Sequence, residues 1–216
     1  MPASRALLCI AAAGLALAFP ASGRAAPRPE AADDHNAAAS STAAADLAVW
    51  ITGTADNQGL PYLIVDKVNA QVLAFDREGR LLGAAPVLLG LTPGDVSPPG
   101  VGERPLSAIG PEDRITPAGR FVASLGENLG GKGILWIDYA AALSLHPVIT
   151  TRPADRRLQR LATATAHDNR ISYGCINVPA TFYKDIVQPA FNGTVGIVYI
   201  LPESRSLADV FFAPGA

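Results

Sequence analysis

Cysteine is almost missing from this chain. Its 216 residues hold two, Cys9 and Cys175. Cys9 lies in an N-terminal stretch that reads as an export signal, so the processed chain keeps one thiol and has no partner for an internal disulfide. Histidine is nearly as scarce, with His35, His146 and His167. No pair among these residues has the spacing of a structural zinc site, so no metal is expected. Runs of basic residues are missing too: none exceeds two, and the net charge is -2. That excludes the electrostatic footprint of a nucleic-acid binder or of a protein held on a charged membrane surface. No internal repeat is present. Beyond the first two dozen residues no apolar run is long enough to suggest a membrane span.

What is present divides into four parts. Residues 1–25 read as a signal peptide: Arg5 supplies the positive end, Ala6 to Phe19 an uncharged apolar run too short to span a bilayer comfortably, and Ala21-Ser22-Gly23-Arg24-Ala25 the small residues before a cleavage point. The protein is therefore expected to be exported. Residues 26–47 are rich in Ala, with Pro, Ser and Asp and few large apolar residues, and read as a flexible tether carrying a solvated His35. Residues 48–201 are long enough for one domain with a real core. Residues 202–216 read as a C-terminal tail.

The domain reads as mainly β with a few helices. Tyr62 to Val65, Gln71 to Phe75 and Arg80 to Leu89 are short apolar runs joined by turn residues, the rhythm of an antiparallel meander. Residues 90–119 are rich in Gly and Pro and read as a long excursion. Arg120 to Leu125, Gly133 to Tyr139, Leu143 to Ile149 and Thr194 to Leu201 are further strand candidates. The spacing of Ala154, Leu158, Leu161 and Ala162 predicts a helix over 154–164, with Arg156, Arg157 and Arg160 mainly on its solvated face. A second helix is expected from Pro179 to Phe191, with Pro189 ending or kinking it.

The remaining thiol stands in Arg170-Ile171-Ser172-Tyr173-Gly174-Cys175-Ile176-Asn177. Gly174 allows a tight turn and close approach of a ligand. A cysteine on a loop leading into a helix would feel the positive end of the helix dipole, which favours the reactive thiolate, and the local N–H groups would serve a developing oxyanion. A small buried cysteine packed as a hydrophobe is the competing reading. A thiol nucleophile also needs a base. His146 closes the apolar run Leu143-Ser144-Leu145, and His167 lies in a polar stretch eight residues before Cys175 (175 minus 167); spacing does not choose between them.

The segment Ser172 to Asn177 resembles the nucleophile motif of the L,D-transpeptidase catalytic domain. Pro86-Val87-Leu88-Leu89-Gly90 and Thr116-Pro117-Ala118-Gly119 resemble two further segments of that family, and His146 ends a strand ahead of the cysteine loop as its general base does. The resemblance spans roughly residues 61–201. It implies a β-sandwich with Cys175 as nucleophile and His146 as base, and with Ser172, Tyr173, Gly174, Arg170 and Asn177 serving the oxyanion or the substrate. It implies no cofactor, peptidoglycan stem peptides as partners, and a place in the periplasm or cell wall. The implied reaction is acyl transfer through a thioester on Cys175. A hydrolytic relative (an L,D-carboxypeptidase or murein amidase) and a non-catalytic wall-binding module are the alternatives. The chain departs from the pattern in three ways. Tyr173 stands where histidine is usual, Pro147 follows the base, and His146 and Cys175 are 29 residues apart (175 minus 146), a gap longer than usual that corresponds to an insertion at 154–164.

Overall fold

Five-residue strands buried on every residue, rather than on every second one, set the centre of the architecture. Tyr62–Asp66 (β1) and Gln71–Phe75 (β2) are both of this kind, which requires cover on both faces of their sheet. The computed structural model describes residues 41–212. The expected signal peptide, the first part of the expected tether and the last four residues lie outside that range.

The other strands are Leu81–Pro86 (β3), Leu89–Gly90 (β4), Gly119–Glu127 (β5), Gly133–Asp138 (β6), Leu143–Pro147 (β7), Arg170–Ser172 (β8), Ile176–Val178 (β9) and Val195–Ile200 (β10). Eight of them form one mixed sheet in the order β3-β2-β1-β10-β5-β6-β7-β9, while β4 and β8 pair separately. The β1–β10 and β7–β9 pairs are parallel and the other pairs of the large sheet antiparallel. A single core gathers Ala74 and Ala85 from one end of this order, Ile176 and Val178 from the other, and Leu63, Val65, Ala123, Leu135, Leu145 and Val198 from between. The sheet thus wraps over its own inner face. The mainly β architecture agrees with the expectation.

A helical rod fills that inner face. It runs as Ala180–Phe182 (with Arg157–Ala162 counted as α2, this is α3), a π-helical turn Tyr183–Val187, and Gln188–Phe191 (α4). Phe182, Val187 and Phe191 point into the core. Pro189 has no N–H to offer the carbonyl four residues back, and the widened turn falls just before it, where the regular ladder is already interrupted.

The outer face of β1, β2 and β10 is covered by Thr42–Thr54 (α1), where a tether was expected up to residue 47. Ser41 caps the helix by accepting from the Ala44 N–H at 3.1 Å. Ala44, Leu47 and Ile51 form a narrow buried stripe against Tyr62, Ile64, Leu73, Phe75 and Tyr199. The alanines that read as featureless supply helix propensity, and the two larger residues anchor the stripe, each worth about 1.5–3 kcal/mol of burial.

Two other expectations need correction. Residues 202–212 are docked rather than a tail: Asp95 accepts from the backbone N–H groups of Glu203, Ser204 and Arg205, and Phe211 is buried beside Tyr199. The expected helix at 154–164 is shorter. A 3-10 turn at Pro153–Asp155 precedes α2, with Arg156 between them in the left-handed region at φ 51°. This break rotates the apolar pattern, so Leu161 is buried while Leu158 is exposed. Among the described residues no helix is long and apolar enough to cross a membrane.

Candidate active site

Parallel pairing of β7 with β9 brings the two chemical residues together. Its register sets Leu145 against Ile176 and His146 against Asn177, which leaves Cys175 beside Ser144 at the strand edge. Cys175 is not at a helix start, as expected from the sequence, because β9 and Pro179 intervene before α3. Side chains, not a helix dipole, therefore set its reactivity. Burial acts to raise the thiol pKa, but the neighbouring His146 imidazole, and then Ser144, hold it below the ordinary thiol value. The Ser144 hydroxyl lies 3.5 Å from Sγ, and the protonated thiol donates to the Ala142 carbonyl at 3.3 Å.

His146 shows the reciprocal change. Burial acts to lower its pKa, and the neighbouring Cys175 outweighs that and raises it; the Arg157 charge works in the lowering direction. The histidine is oriented by its own chain: Nδ1 lies 2.8 Å from the Pro147 carbonyl oxygen. Assigning the Nδ1 proton to that bond makes Nε2 the nitrogen without a proton in the neutral ring. Pro147 thus supplies the orienting group for His146 through its backbone. Both shifts run in the direction of a thiolate beside an imidazolium.

The cysteine loop is held from below. Gly174 has φ 129°, and a Cβ there would come within 2.8 Å of the Ile115 carbonyl oxygen, so a side chain is excluded on both counts. The fully buried Thr116 hydroxyl donates to the Gly174 carbonyl at 2.7 Å and accepts from the Gly90 N–H at 2.8 Å. Three separate motif segments, ending at Gly90, beginning at Thr116 and surrounding Cys175, meet at this one hydroxyl.

Ser172 donates to the Cys175 carbonyl at 2.6 Å and accepts from the Gly174 N–H at 3.1 Å. Asn177 Nδ2 donates to the same carbonyl at 3.2 Å. These bonds fix the loop, and they correct one expectation: the Gly174 N–H is occupied and not free for an oxyanion. The Cys175 N–H, by contrast, has no partner among the described residues. Tyr173 borders the site with its ring under Arg114, whose guanidinium carbon is 4.0 Å from the ring centroid. Arg114 in turn donates to the Ile109 carbonyl, so the long excursion is fastened to the loop.

Cys175 and His146 sit where two cavities meet. One, of about 330 Å³, is lined among others by Tyr173, Asn177, Arg157 and Leu106. The other, of about 410 Å³, is lined by Trp136, Ile134, Lys132 and Ser144. Of the remaining sequence candidates, Arg170 is elsewhere. It pairs with Glu203 and donates to the Lys67 carbonyl at 3.0 Å, a structural role, and it borders neither cavity. His167 is exposed and also borders neither. His35 lies outside the described residues.

Sequence reasoning missed Arg157, assigned to a solvated helix face. Its Nη1 donates to Asn177 Oδ1 at 2.8 Å and its Nε to Asp155 at 3.0 Å. The left-handed Arg156 turns α2 so that this side chain faces the cysteine loop. A six-residue helix behind a 3-10 turn left no periodic signal for that rotation.

No protein-family model matches the chain, and no curated protein matches it. Solved structures that it is similar to include the catalytic domain of an L,D-transpeptidase from E. faecium, at 17% identity over 65% of this chain and 95% of that one, with a TM-score of 0.39. The helical cell shape determining protein Pgp2 from Campylobacter jejuni matches at 13% identity over 68% of this chain and 49% of that one, with a TM-score of 0.42. An L,D-transpeptidase from Xylanimonas cellulosilytica matches at 14% identity over 66% of this chain and 60% of that one, with a TM-score of 0.36. The chain is thus similar, at low identity, to solved L,D-transpeptidase catalytic domains.

Proposed function

We propose that this domain is a cysteine-dependent L,D-transpeptidase acting on peptidoglycan stem peptides. The observation that carries the reading is the position of the Cys175–His146 pair at the junction of two cavities. A group-transfer enzyme must present one acyl donor and one acceptor to the same atom, and two cavities meeting at the thiol supply that geometry. The resemblance of residues 172–177 to the family's nucleophile motif supplies the substrate class.

In this reading the Cys175 thiolate attacks the carbonyl of a diaminopimelate residue in a stem tetrapeptide. The Cys175 N–H stabilises the oxyanion. The imidazolium of His146 gives its proton to the departing D-alanine amine, leaving a thioester and a neutral imidazole. An amine from a second stem peptide then enters, His146 takes its proton, and collapse of the second oxyanion forms the cross-link and restores the thiolate. The substrate lies outside the cytoplasm, in keeping with the export signal read over residues 1–25.

Incubation of the purified protein with muropeptide tetrapeptides, followed by mass spectrometry, tests this. Cross-linked dimers, absent with Cys175→Ala, are the expected product. Tripeptides without dimers identify water as the acceptor and a hydrolase. Unchanged tetrapeptide with no adduct on Cys175 leaves a wall-binding module and overturns the reading.

A further inference from the structure

The segment between His146 and Cys175 brings one side chain into the cavity that a solvated helix would not. Arg157 is partly buried, with 15% of its side chain exposed, and it lines the 330 Å³ cavity together with Cys175, His146 and Tyr173. Its guanidinium has five N–H groups. One on Nε is given to Asp155 and one on Nη1 to Asn177; the other three have no partner among the described residues. Asp155 thus holds the guanidinium from its edge and not through a paired fork, and the Nη2 side stays available to a planar anion. The ionisable lining of the cavity is Arg152, Arg157, Asp155, Tyr173 and the His146–Cys175 pair; whether that pair is neutral or a thiolate beside an imidazolium its charges cancel, and the two arginines outnumber the one carboxylate. Arg157 is also tied to the nucleophile, since Asn177 passes from its guanidinium to the Cys175 carbonyl.

We propose that Arg157 is a specificity-determining residue that binds a free carboxylate of the acyl donor in the cavity beside Cys175. The proposal rests on the acyl-transfer reading for its substrate, but the anion site itself does not. A residue that only braced the loop through Asn177 would affect charged and neutral ligands alike. A carboxylate-binding residue separates them.

The test uses two small alkylating agents of similar shape, iodoacetate and neutral iodoacetamide, and measures their rates at Cys175 in the whole protein. The ratio of the iodoacetate to the iodoacetamide rate is expected to fall about tenfold in Arg157→Gln, the scale of a lost charge-assisted hydrogen bond. Arg157→Lys keeps the charge and is expected to hold an intermediate ratio. An unchanged ratio in Arg157→Gln, or a fall in Arg152→Gln in its place, overturns the proposal. Two tetrapeptide donors then locate the carboxylate, one amidated at the terminal D-alanine and one at the diaminopimelate side chain. The one whose acylation rate in the native protein drops to that of Arg157→Gln has lost the recognised group. If neither drops, no donor carboxylate is bound and the proposal fails. If the alkylation ratio falls but no peptide acylates Cys175, the anion site stands and the transpeptidase reading falls.

Discussion

The reactivity of Cys175 comes from its neighbours and is measurable without any substrate. Its thiol is held below the ordinary value because His146 and Ser144 outweigh burial. The iodoacetamide rate should therefore climb with pH and level off below the range of a free cysteine, near 8.5. In His146→Ala the opposing burial acts with less resistance, so the apparent pKa moves upward and the rate at pH 7 falls about tenfold or more, since each unit of pKa is a factor of ten in thiolate. A profile that His146→Ala leaves in place would remove this histidine from the pair. Turnover should be bell-shaped, rising as the thiolate forms and falling as the imidazolium that protonates the leaving amine is lost. At this scale the sequence was informative where the chemistry was rare: a lone thiol and one histidine on a strand end. It was uninformative for long, flexible cations. Arg170 next to the motif turned to Glu203, and Arg157, far from it in sequence, turned to Asn177. Residue type does not say where a guanidinium on four rotatable bonds ends up. Nor does a sequence show that the Pro147 carbonyl orients the base, because that contact belongs to the backbone.

Between residue and molecule, the cysteine loop is a small element built from distant segments. Its hinge is Thr116, whose hydroxyl serves the Gly174 carbonyl and the Gly90 N–H at once. Thr116→Val keeps the shape and removes both bonds, leaving a buried donor and a buried acceptor unpaired. The expected loss is roughly 2–6 kcal/mol, at about 1–3 for each orphaned group, read as a lower urea midpoint with an unchanged slope. Alkylation of Cys175 should also slow, because Gly174 is no longer held, and Thr116→Ser should restore both properties. A Thr116→Val protein as stable as the native one would show that the loop is held by other contacts. The strands of the meander and the long excursion could be read from apolar runs and from Gly and Pro. Elements whose identity depends on what covers them could not. Helix α1 shows this best: Ala44, Leu47 and Ile51 make a stripe only once the outer face of β1 and β2 is there to receive them. The short strand β9, which displaces the helix from Cys175, exists because β7 lies alongside it.

The whole domain is closed by a buried charge network that joins segments far apart in the chain. Lys67, at the end of β1, is 1% exposed and Asp95, in the excursion, 5%. Lys67 Nζ lies 2.8 Å from Asp95 and donates to the Thr116 carbonyl at 2.9 Å. Asp95 also accepts from the backbone of residues 203–205 and from the Ser204 hydroxyl at 2.6 Å. The first strand, the loop that carries Thr116 and the chain end are thus fastened together, and Thr116 links this network to the cysteine loop. Removing the Asp95 charge leaves buried Lys67 with only the more distant Glu203 carboxylate, 3.5 Å away and shared with Arg170, a loss of about 3 kcal/mol, the low end for a broken buried pair. Asp95→Asn should therefore lower the urea midpoint strongly at pH 7. The acid side gives a second reading. Burial acts to raise the Asp95 pKa, but Lys67, Ser204 and the backbone N–H groups of Glu203 and Ser204 hold it well below the usual carboxylate range. A carboxylate depressed in the folded state adds stability in full above its unfolded pKa, near 3.9, and loses it as pH falls from there towards the folded value. The native domain should thus lose stability steeply as pH falls below about 4, and Asp95→Asn, which has no proton to take up, should show a shallower fall over the same range. Parallel urea midpoints of the two proteins across that window would show that acid acts on other carboxylates and that this network is not what closes the domain.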